Sequence, residues 1–341
     1  MGLWGADPGG EPWFNRTMAQ MLAEGILGDA NGISNDNAAP AGRATTYGYK
    51  STGGVVWAAK SFANSGTVTV GWANYNSSAL WASNEIFTLT EWVYAWCRTI
   101  RQCNRQPALQ AQRHAHWKCK HKRAYNGLAL FRDFGSRDHG RDRTVTVKVD
   151  GVTWITITSV ITSGTANAFA NRFYIQPIVQ NTNQWYKDIY WRSDSTFMGD
   201  LTVNVCYASA AGPSQQFAPT GGTQVSCVQD GITHTGTWPD DTSYIFDSTS
   251  GHISDFNPQN ITLPGGGSIK GVVHVSRLST DVGGGTAQQY SKSGSTVHTT
   301  STITLGTSPF YFFDVMENDP NTGSAWTQSG FNAATHGVKV P

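Results

Sequence analysis

The stretch TVTVKVDGVTWITI, residues 144–157, constrains the fold more than any other part of the chain. Apolar and polar residues alternate on both sides of Asp150-Gly151, a dipeptide that accepts the positive φ angles of a tight type I′ turn. A two-residue closure predicts three cross-strand pairs on one face, namely Val149 with Val152, Val147 with Trp154 and Val145 with Thr156. A hairpin that buries one face belongs to an antiparallel sandwich or barrel.

The composition extends this prediction to the whole chain. Charged residues make up only 14% of the 341 residues, against about 25% in an ordinary globular protein. Glycine is abundant, with 37 residues, and helix-favouring Glu occurs at only five positions. These features predict an all-β protein with many short strands and tight turns.

Further alternating segments predict strands along the chain, whereas FNRTMAQMLAEGIL, residues 14–27, is the only segment with a helical apolar stripe. The turn-rich segment AGPSQQFAPTGG, residues 211–222, is the predicted domain boundary. The predicted strand segments are SGTVTVGWA, EIFTLTEWVY, FYIQPIV, QWYKDIYWRS, GSIKGVVHVSRLS, STVHTTSTITL, SPFYFFDVME and THGVKV.

Basic charge is concentrated in one segment. Residues 98–143 hold 12 Lys or Arg and 3 Asp, while the rest of the chain holds 12 basic and 20 acidic residues. An acidic body argues against a nucleic-acid-binding fold. Within this segment, residues 98–123 carry eight basic residues and no acid.

Three interpretations of the basic segment stay open. It is an exposed loop, or a stretch read in another frame, as its abrupt edges suggest, or a nucleic-acid or metal site. The ligand types for zinc are present, but their spacing lacks the paired C-x2-C pattern of structural zinc sites. We expect residues 98–123 to be peripheral, with neither nucleic acid nor metal bound. The residues of zinc-ligand type are Cys97, Cys103, His114, His116, Cys119 and His121.

The five cysteines are too few and too scattered for a disulfide framework, and whether Cys206 pairs with Cys227 stays open. No apolar run approaches the roughly 18 residues of a membrane span. The first residues, MGLWGADPGGEPW, lack the basic start and apolar run of a signal peptide. These features predict a protein without membrane insertion.

The acidic residues and histidines do not predict a catalytic site. Glu85 and Glu91 are six residues apart, about 20 Å along a strand, which is too far for the carboxylate pair of a glycosidase. We interpret Asp240, Asp241, Asp247 and Asp255 as turn-forming residues. The scattered histidines are interpreted as polar strand or loop residues. The sequence therefore predicts no enzyme, no cofactor and no metal. These histidines are His234, His252, His274, His298 and His336.

Aromatic residues are the more informative surplus. In the segment QWYKDIYWRS, alternation sends Tyr186 and Tyr190 to the face opposite Trp185 and Trp191, so one core cannot cover all four. Exposed aromatic faces suit stacking on sugars or contact with another subunit. We therefore take Trp185, Tyr186, Tyr190 and Trp191 as candidate glycan or subunit contacts. The alternative is that a partner sheet or a neighbouring subunit buries them.

Eight short motifs follow one another in a fixed order. As an ordered set they resemble a family of tailed-phage virion proteins, in which a concanavalin A-like (laminin-G-like) jelly roll precedes a smaller β domain. The resemblance covers roughly residues 144–341 well and 44–96 loosely. The motifs are VKVDGV (147–152), GTANA (164–168), KDIYW (187–191), FMGDLTV (197–203), FAPTGG (217–222), DDTSYIFDSTSG (240–251), ENDPNTGSAWT (317–327) and HGVKV (336–340).

This resemblance implies an N-terminal arm with a short helix over 1–40, a lectin-like jelly roll over 41–208 and an antiparallel β-sandwich domain over 215–341. It implies a non-enzymatic virion component, such as a head or tail fibre, spike or decoration, assembled in the host bacterial cytoplasm. The expected partners are further copies, as a homotrimer, other virion proteins, and host surface polysaccharide. The alternatives are a free carbohydrate-binding or receptor-binding adhesin and, with less support, a glycan-cleaving enzyme.

Overall fold

The computed structural model separates into two compact units, Met1–Asn204 and Val205–Pro341. The predicted helix over 14–27, the GTANA motif and residues 98–123 lie outside the described residues. The exact domain limits at 41, 208 and 215 stay a prediction. The structure describes residues 4–7, 29–31, 34–36, 48–51, 57–65, 67–76, 87–90, 125–133, 143–149, 151–160, 170–175, 184–199, 201–229 and 242–341.

The first unit contains an eight-stranded and a four-stranded sheet. The larger sheet has the order β10-β9-β8-β6-β12-β4-β3, with β1 also pairing with β12, and the smaller has the order β2-β5-β11-β7. The strands are β1 (Trp4–Asp7), β2 (Asp29–Asn31), β3 (Ser34–Asp36), β4 (Gly48–Ser51), β5 (Trp57–Ser65), β6 (Thr67–Asn76), β7 (Phe87–Thr90), β8 (Tyr125–Asp133), β9 (Arg143–Val149), β10 (Val152–Val160), β11 (Ala170–Ile175) and β12 (Gln184–Arg192).

The predicted hairpin is β9–β10, and its innermost pair, Val149 with Val152, is confirmed. Beyond that pair the predicted register is wrong. An irregularity between Thr153 and Ile155 moves the partner of Val147 from Trp154 to Ile155. The extra residue is a β-bulge, a feature that no alternation pattern announces.

Strand β8 lies within the basic segment 98–143 and pairs with β6 on one side and β9 on the other. The part of that segment over Tyr125–Asp133 is therefore a strand inside the larger sheet rather than a peripheral loop. Its sequence, YNGLALFRD, alternates too weakly to have predicted this. The expectation for residues 98–123 stays a prediction.

The second unit has a six-stranded sheet with the order β13-β16-β22-β18-β19, in which β20 also pairs with β18. The strand pairs β14–β15 and β17–β21 complete it. Its elements are β13 (Ala208–Gln215), β14 (Ala218–Pro219), α1 (Gln224–Val228), β15 (Ile245–Phe246), β16 (Ile253–Pro258), β17 (Val272–Leu278), β18 (Thr286–Ser293), β19 (Thr296–Thr299), β20 (Ile303–Thr304), β21 (Phe310–Met316), α2 (Gln328–Ala333) and β22 (Thr335–Lys339).

The predicted all-β class is confirmed, because all the described strand pairings are antiparallel. One element differs from expectation. Most of residues 208–215 fell in the predicted interdomain stretch, yet they form β13, an edge strand paired with β16. An edge strand tolerates the Gly212-Pro213 that suggested a turn, because one side of it needs no ladder hydrogen bonds.

The apolar core of the second unit is a compact cluster at one end of β17–β21. Val272 and Met316, a cross-strand pair, are buried with Trp326, Phe331 and Ala334. The Trp326 and Phe331 rings meet edge to face, with centroids 6.5 Å apart. The indole Nε1 of Trp326 donates to the Met316 carbonyl at 3.1 Å, so the buried polar end of the ring is satisfied.

Among the described residues, no helix has the length and apolarity that crossing a membrane requires.

Candidate functional site

A bulge in β12 decides where the predicted aromatic contacts lie. Asp188 has a φ of 52°, in the left-handed region, and the register with β6 slips between Lys187 and Tyr190. The slip breaks the alternation, so the consecutive residues Asp188, Ile189 and Tyr190 are all buried. The Asp188 Oδ1 accepts a hydrogen bond from the Val203 N–H at 2.9 Å, which holds the following segment against the strand.

Tyr190 is packed on the backbone of Gly71, its partner on β6. A Cβ at Gly71 would lie 2.1 Å from the Tyr190 ring, so this cross-strand position requires glycine. The Tyr190 hydroxyl accepts from the Met198 N–H at 3.2 Å, and burial raises its pKa. Tyr190 is 2% exposed and cannot stack on a ligand, so the predicted contact is wrong at this residue.

Of the other three predicted contacts, Trp191 is half-buried. The side chains of Trp185 and Tyr186 lie outside the described part of β12. A glycan or subunit contact at these three residues stays a prediction.

Three of the eight motifs meet at this bulge. Asp188 and Tyr190 belong to KDIYW, and their partners Val203 and Met198 belong to FMGDLTV. The Lys148 ammonium of VKVDGV lies 4.5 Å from the centroid of the Phe197 ring, also in FMGDLTV. These motif residues therefore hold the unit together, and their chemistry is used in internal contacts.

The motifs of the second unit meet in the same way. FAPTGG and DDTSYIFDSTSG pair through β14 and β15, and the Thr220 N–H donates to the Tyr244 carbonyl at 3.0 Å. At the other end of the second motif, the Gly251 N–H donates to the Val340 carbonyl at 2.9 Å. Val340 ends the HGVKV motif, whose Gly337 packs so tightly on the Ser254 backbone that a Cβ would lie 1.9 Å from its carbonyl oxygen.

Asp247 and Asp319 both organise turns. Asp247 Oδ2 lies 2.7 Å from His252 Nδ1, and Oδ1 accepts from the Thr249 N–H at 2.6 Å. The hydrogen bond from His252 is the main reason that the pKa of Asp247 falls to about 2, with the Thr249 N–H second. Asp319 Oδ1 accepts from the Asn321 N–H at 2.9 Å. The turn role predicted for Asp247 is confirmed, and Asp319, for which no prediction was made, acts in the same way.

The turn role predicted for Asp255 is wrong: it is buried within β16, where its carboxylate accepts from the Ser214 N–H and the Thr335 hydroxyl, each at 2.8 Å. Asp240 and Asp241 lie outside the described residues.

The clearest polar cluster of the described residues was not predicted: it brings three of the scattered histidines together. Ser291 on β18 pairs with His298 on β19 and with His336 on β22, so the three side chains form a row across one face of the sheet. Ser291 Oγ lies 2.9 Å from His336 Nδ1. His298 Nε2 lies 2.9 Å from Asp314 Oδ2 on β21.

The third histidine, His274, comes from β17, where its cross-strand partner is Asp314. The ring centroids of His274 and His336 are 5.5 Å apart, and His274 Nε2 lies 3.1 Å from Ser276 Oγ. We call His274, His298, His336 and Asp314 the histidine cluster.

Gln289 of β18 ties the strands of the cluster together. Its side-chain amide donates towards the carbonyls of His274 at 3.0 Å and Phe312 at 3.2 Å, and lies 3.2 Å from Ser276 Oγ. The side chain is 1% exposed, so these contacts replace the water that an amide would otherwise bind. Gln289 thereby fixes β17 and β21 over β18.

Two ring nitrogens in the cluster, His274 Nδ1 and His336 Nε2, are buried and have no hydrogen-bond partner among the residues that the structure describes. Burial, together with the smaller effects of the neighbouring His336 and His298, lowers the pKa of His274 to about 3. Burial also lowers the pKa of His336 to about 4. Both imidazoles are therefore neutral at neutral pH, the form in which histidine binds metal ions or accepts a proton.

Sequence reasoning missed this cluster because its residues belong to separate strands. GVVHVSRL, STVHTT and THGVKV each contain one histidine in an alternating stretch. Alternation predicts which residues share a face of one strand, but it gives neither the order of the strands nor their register. The sequence signal that could have indicated the cluster was the position of three histidines in the interior of predicted strands.

Metal and thiol chemistry is limited in the described part of the chain. There, no group of three or more His, Cys, Asp or Glu side chains is arranged to hold a metal ion. Cys206 and Cys227 are free thiols rather than a disulfide. Burial raises the pKa of Cys206 to about 11, which keeps it protonated and unreactive.

No protein-family model matches this chain. No curated protein matches it. Among solved structures, the alginate lyase Aly36B has a TM-score of 0.33 at 8% identity, covering 52% of this chain and 93% of its own. The cellulose-induced protein Cip1 has a TM-score of 0.34 at 13% identity, covering 57% and 94%. The binding domain of botulinum neurotoxin DC, solved with rat synaptotagmin II, has a TM-score of 0.28 at 9% identity, covering 86% and 90%.

The antiparallel sheets of both units confirm the predicted all-β class. The finer assignment, a lectin-like jelly roll followed by a smaller antiparallel β-sandwich, stays a prediction.

Proposed function

We propose that this chain is a non-enzymatic structural protein of a tailed-phage virion that assembles with further copies of itself. The ordered motifs of the sequence support the virion role. In the described residues these motifs serve internal packing and turns, as Asp188, Tyr190 and Asp247 illustrate. That use of polar residues fits an architectural protein better than an enzyme.

One observation carries the self-assembly. Strand β17 turns His274 and Ser276 inward, towards Gln289, and turns Val275 outward. Val275 and its cross-strand partner Phe313 are 40% and 39% exposed. In an isolated chain, this strand pair buries polar side chains and exposes apolar ones. Covering its outer face would remove apolar surface from water and stabilise the protein. A subunit interface, here a homotrimer, supplies that cover.

The assembly is tested by mass photometry or sedimentation velocity on the full chain. The expected wild-type species is a trimer. V275T and F313S make the outer face polar without touching the inner one, so they should shift the population towards monomer. V282T is the matched control, because Val282 is 74% exposed but lies in a loop outside this strand pair. A wild-type monomer at working concentration would contradict the proposal.

The virion role needs a separate test. Antibodies raised against the chain should label one surface of the phage particle in electron microscopy, on the head or on the tail. Absence of label from purified particles that contain all their structural proteins would contradict the role, whatever the oligomeric state.

A glycan-binding role is the second candidate, favoured by one exposed aromatic pair. Tyr244 and Phe246 are 50% and 54% exposed, and their ring centroids are 6.2 Å apart. Aromatic faces of this kind stack on sugar rings. Selective binding on a glycan array that Y244A and F246A abolish would favour an adhesin. Release of products from host polysaccharide would instead favour an enzyme.

A further inference from the structure

The histidine cluster holds two imidazoles whose ring nitrogens are not all hydrogen-bonded. Within the described ranges of the chain, His274 Nδ1 and His336 Nε2 are buried without a hydrogen-bond partner. Leaving a buried polar atom without a hydrogen bond costs about 1–3 kcal/mol. Two such atoms on neighbouring rings call for a physical explanation, and a bound ion that accepts both lone pairs provides one.

The surroundings of each ring match those of a metal ligand. A histidine that binds a metal through one nitrogen usually donates its other N–H to a nearby oxygen, which fixes the tautomer and the ring orientation. Ser276 Oγ is placed for this at His274 Nε2, and Ser291 Oγ is placed for it at His336 Nδ1. When each ring donates its N–H to its serine, the other nitrogen, His274 Nδ1 or His336 Nε2, carries the lone pair.

The separation of the two rings is compatible with a shared ion. With metal–nitrogen bonds of about 2.0–2.1 Å, each ring centroid lies about 3 Å from the metal, so two ligating rings have centroids roughly 5–6 Å apart. The rings of His274 and His336 are 5.5 Å apart and tilted by 54°.

We propose that His274 Nδ1 and His336 Nε2 bind one divalent transition-metal ion of the kind that imidazole prefers. Neutral imidazole suits Cu²⁺, Ni²⁺ and Zn²⁺, and Cu²⁺ forms the strongest complexes of the three. Two protein ligands leave the other coordination positions to solvent or to an added ligand. The Asp314 carboxylate is engaged by His298, so it balances charge near the ion without being counted as a ligand.

The test uses the tag-free full chain titrated with Cu²⁺, Ni²⁺ or Zn²⁺ at neutral pH, by calorimetry and, for Cu²⁺, by electron paramagnetic resonance. H274Q and H336Q should each lose one equivalent of bound metal relative to the wild type, and the wild-type spectrum should show nitrogen ligands that each variant loses. H252Q is the matched control and should bind as the wild type does, because His252 is already paired with Asp247.

A second measurement separates loss of the site from loss of the fold. Cu²⁺ should raise the melting temperature of the wild type and of H252Q, since an ion that binds only the folded state stabilises it. S291A, which leaves both ligands in place, should bind the metal with at least tenfold lower affinity, because the oxygen that holds the other nitrogen of a ligating histidine commonly contributes that much. Equal stoichiometry in the wild type, H274Q and H336Q would overturn the proposal.

Discussion

The strand pair β17–β21 has an apolar end and a polar end, and the side chains of both ends lie on the same face of the pair. At the first end, Val272 and Met316 pack against Trp326 and Phe331. Two residues further along, the same face carries His274 and Asp314, and then Ser276 and Phe312. The apolar end supplies the free energy of burial, which is not directional. The polar end supplies contacts that only one register satisfies.

This difference matters because the strand sequence alone does not choose between its two faces. In VVHVSRL, one face carries Val272, His274, Ser276 and Leu278, the other carries Val273, Val275 and Arg277, and each holds two apolar residues. A one-residue slip would reverse the two faces. Val272, held in the Trp326 cluster, and Gln289, which donates to the His274 carbonyl, together specify the observed register. The apolar end therefore contributes mainly to stability, and the polar end contributes mainly to the choice of strand register.

Truncation at the apolar end should have the largest effect. Trp326 is 3% exposed, and W326A removes both its buried ring and the hydrogen bond to the Met316 carbonyl. We expect the free energy of unfolding to fall by about 3–5 kcal/mol. Urea denaturation followed by circular dichroism measures it, with V282A as an exposed control that should change little. A loss no larger than in V282A would mean that this end is not the stabilising one.

Acid should act on the polar end, through His274 and His336. The pKa values of His274 and His336 in the fold are about 3 and about 4, below the value of about 6.5 in an unfolded chain. Between these values the unfolded chain binds protons that the folded chain does not. Stability is therefore complete above pH ~6.5 and falls on acidification by about 1.4 kcal/mol per pH unit for each such proton.

Urea denaturation from neutral to mildly acidic pH measures this slope. The double variant H274Q/H336Q, which carries uncharged side chains of similar length, should show a flatter dependence. H252Q should retain the steep dependence, because His252 lies outside the cluster. A double variant as acid-sensitive as the wild type would show that other groups set the pH dependence.

Removal of the Gln289 amide should have an intermediate effect. Q289A leaves the carbonyls of His274 and Phe312 buried without their side-chain donor. The expected loss is about 1–3 kcal/mol, the usual cost of unsatisfied buried polar groups. Q288A is the matched control, since Gln288 is the preceding residue on β18 and reaches a different acceptor, the Thr300 carbonyl. Equal losses of unfolding free energy in Q289A and Q288A would show that the buried Gln289 amide has no special role in stability.

Much of the fold followed from local patterns in the sequence. Alternation located β6, β12, β17, β21 and β22, and Asp150-Gly151 located the β9–β10 hairpin. The failures share one cause. The bulges near Trp154 and at Asp188 each insert a residue that breaks the alternation, so the pairing of Val147 and the burial of Tyr190 could not be read from period two.

The histidine cluster could not be predicted from the sequence, for a related reason. His274, His298 and His336 are separated by 24 and 38 positions, and only the strand order β22-β18-β19, together with the position of β17, brings them together. Strand order depends on long-range packing, which no short motif encodes. The turn role of Asp247 was easier to predict, because its carboxylate acts on a residue two positions away. Asp255 was misjudged because its partners, Ser214 and Thr335, are distant in the sequence.

The smallest loss of unfolding free energy is expected at the rim of the histidine cluster. A substitution there separates the electrostatic contribution from the contribution of packing. His298 Nε2 and Asp314 Oδ2 are 2.9 Å apart, with side chains 36% and 12% exposed. D314N keeps the shape of the side chain and removes its charge, so we expect a loss below about 1 kcal/mol, as for other partly exposed ion pairs. The loss should shrink further in ~1 M salt, where the Debye length is about 3 Å. Urea denaturation at low and high salt measures both values. A salt-independent loss as large as that of Q289A would place Asp314 in the packed interior with Gln289 rather than at its rim.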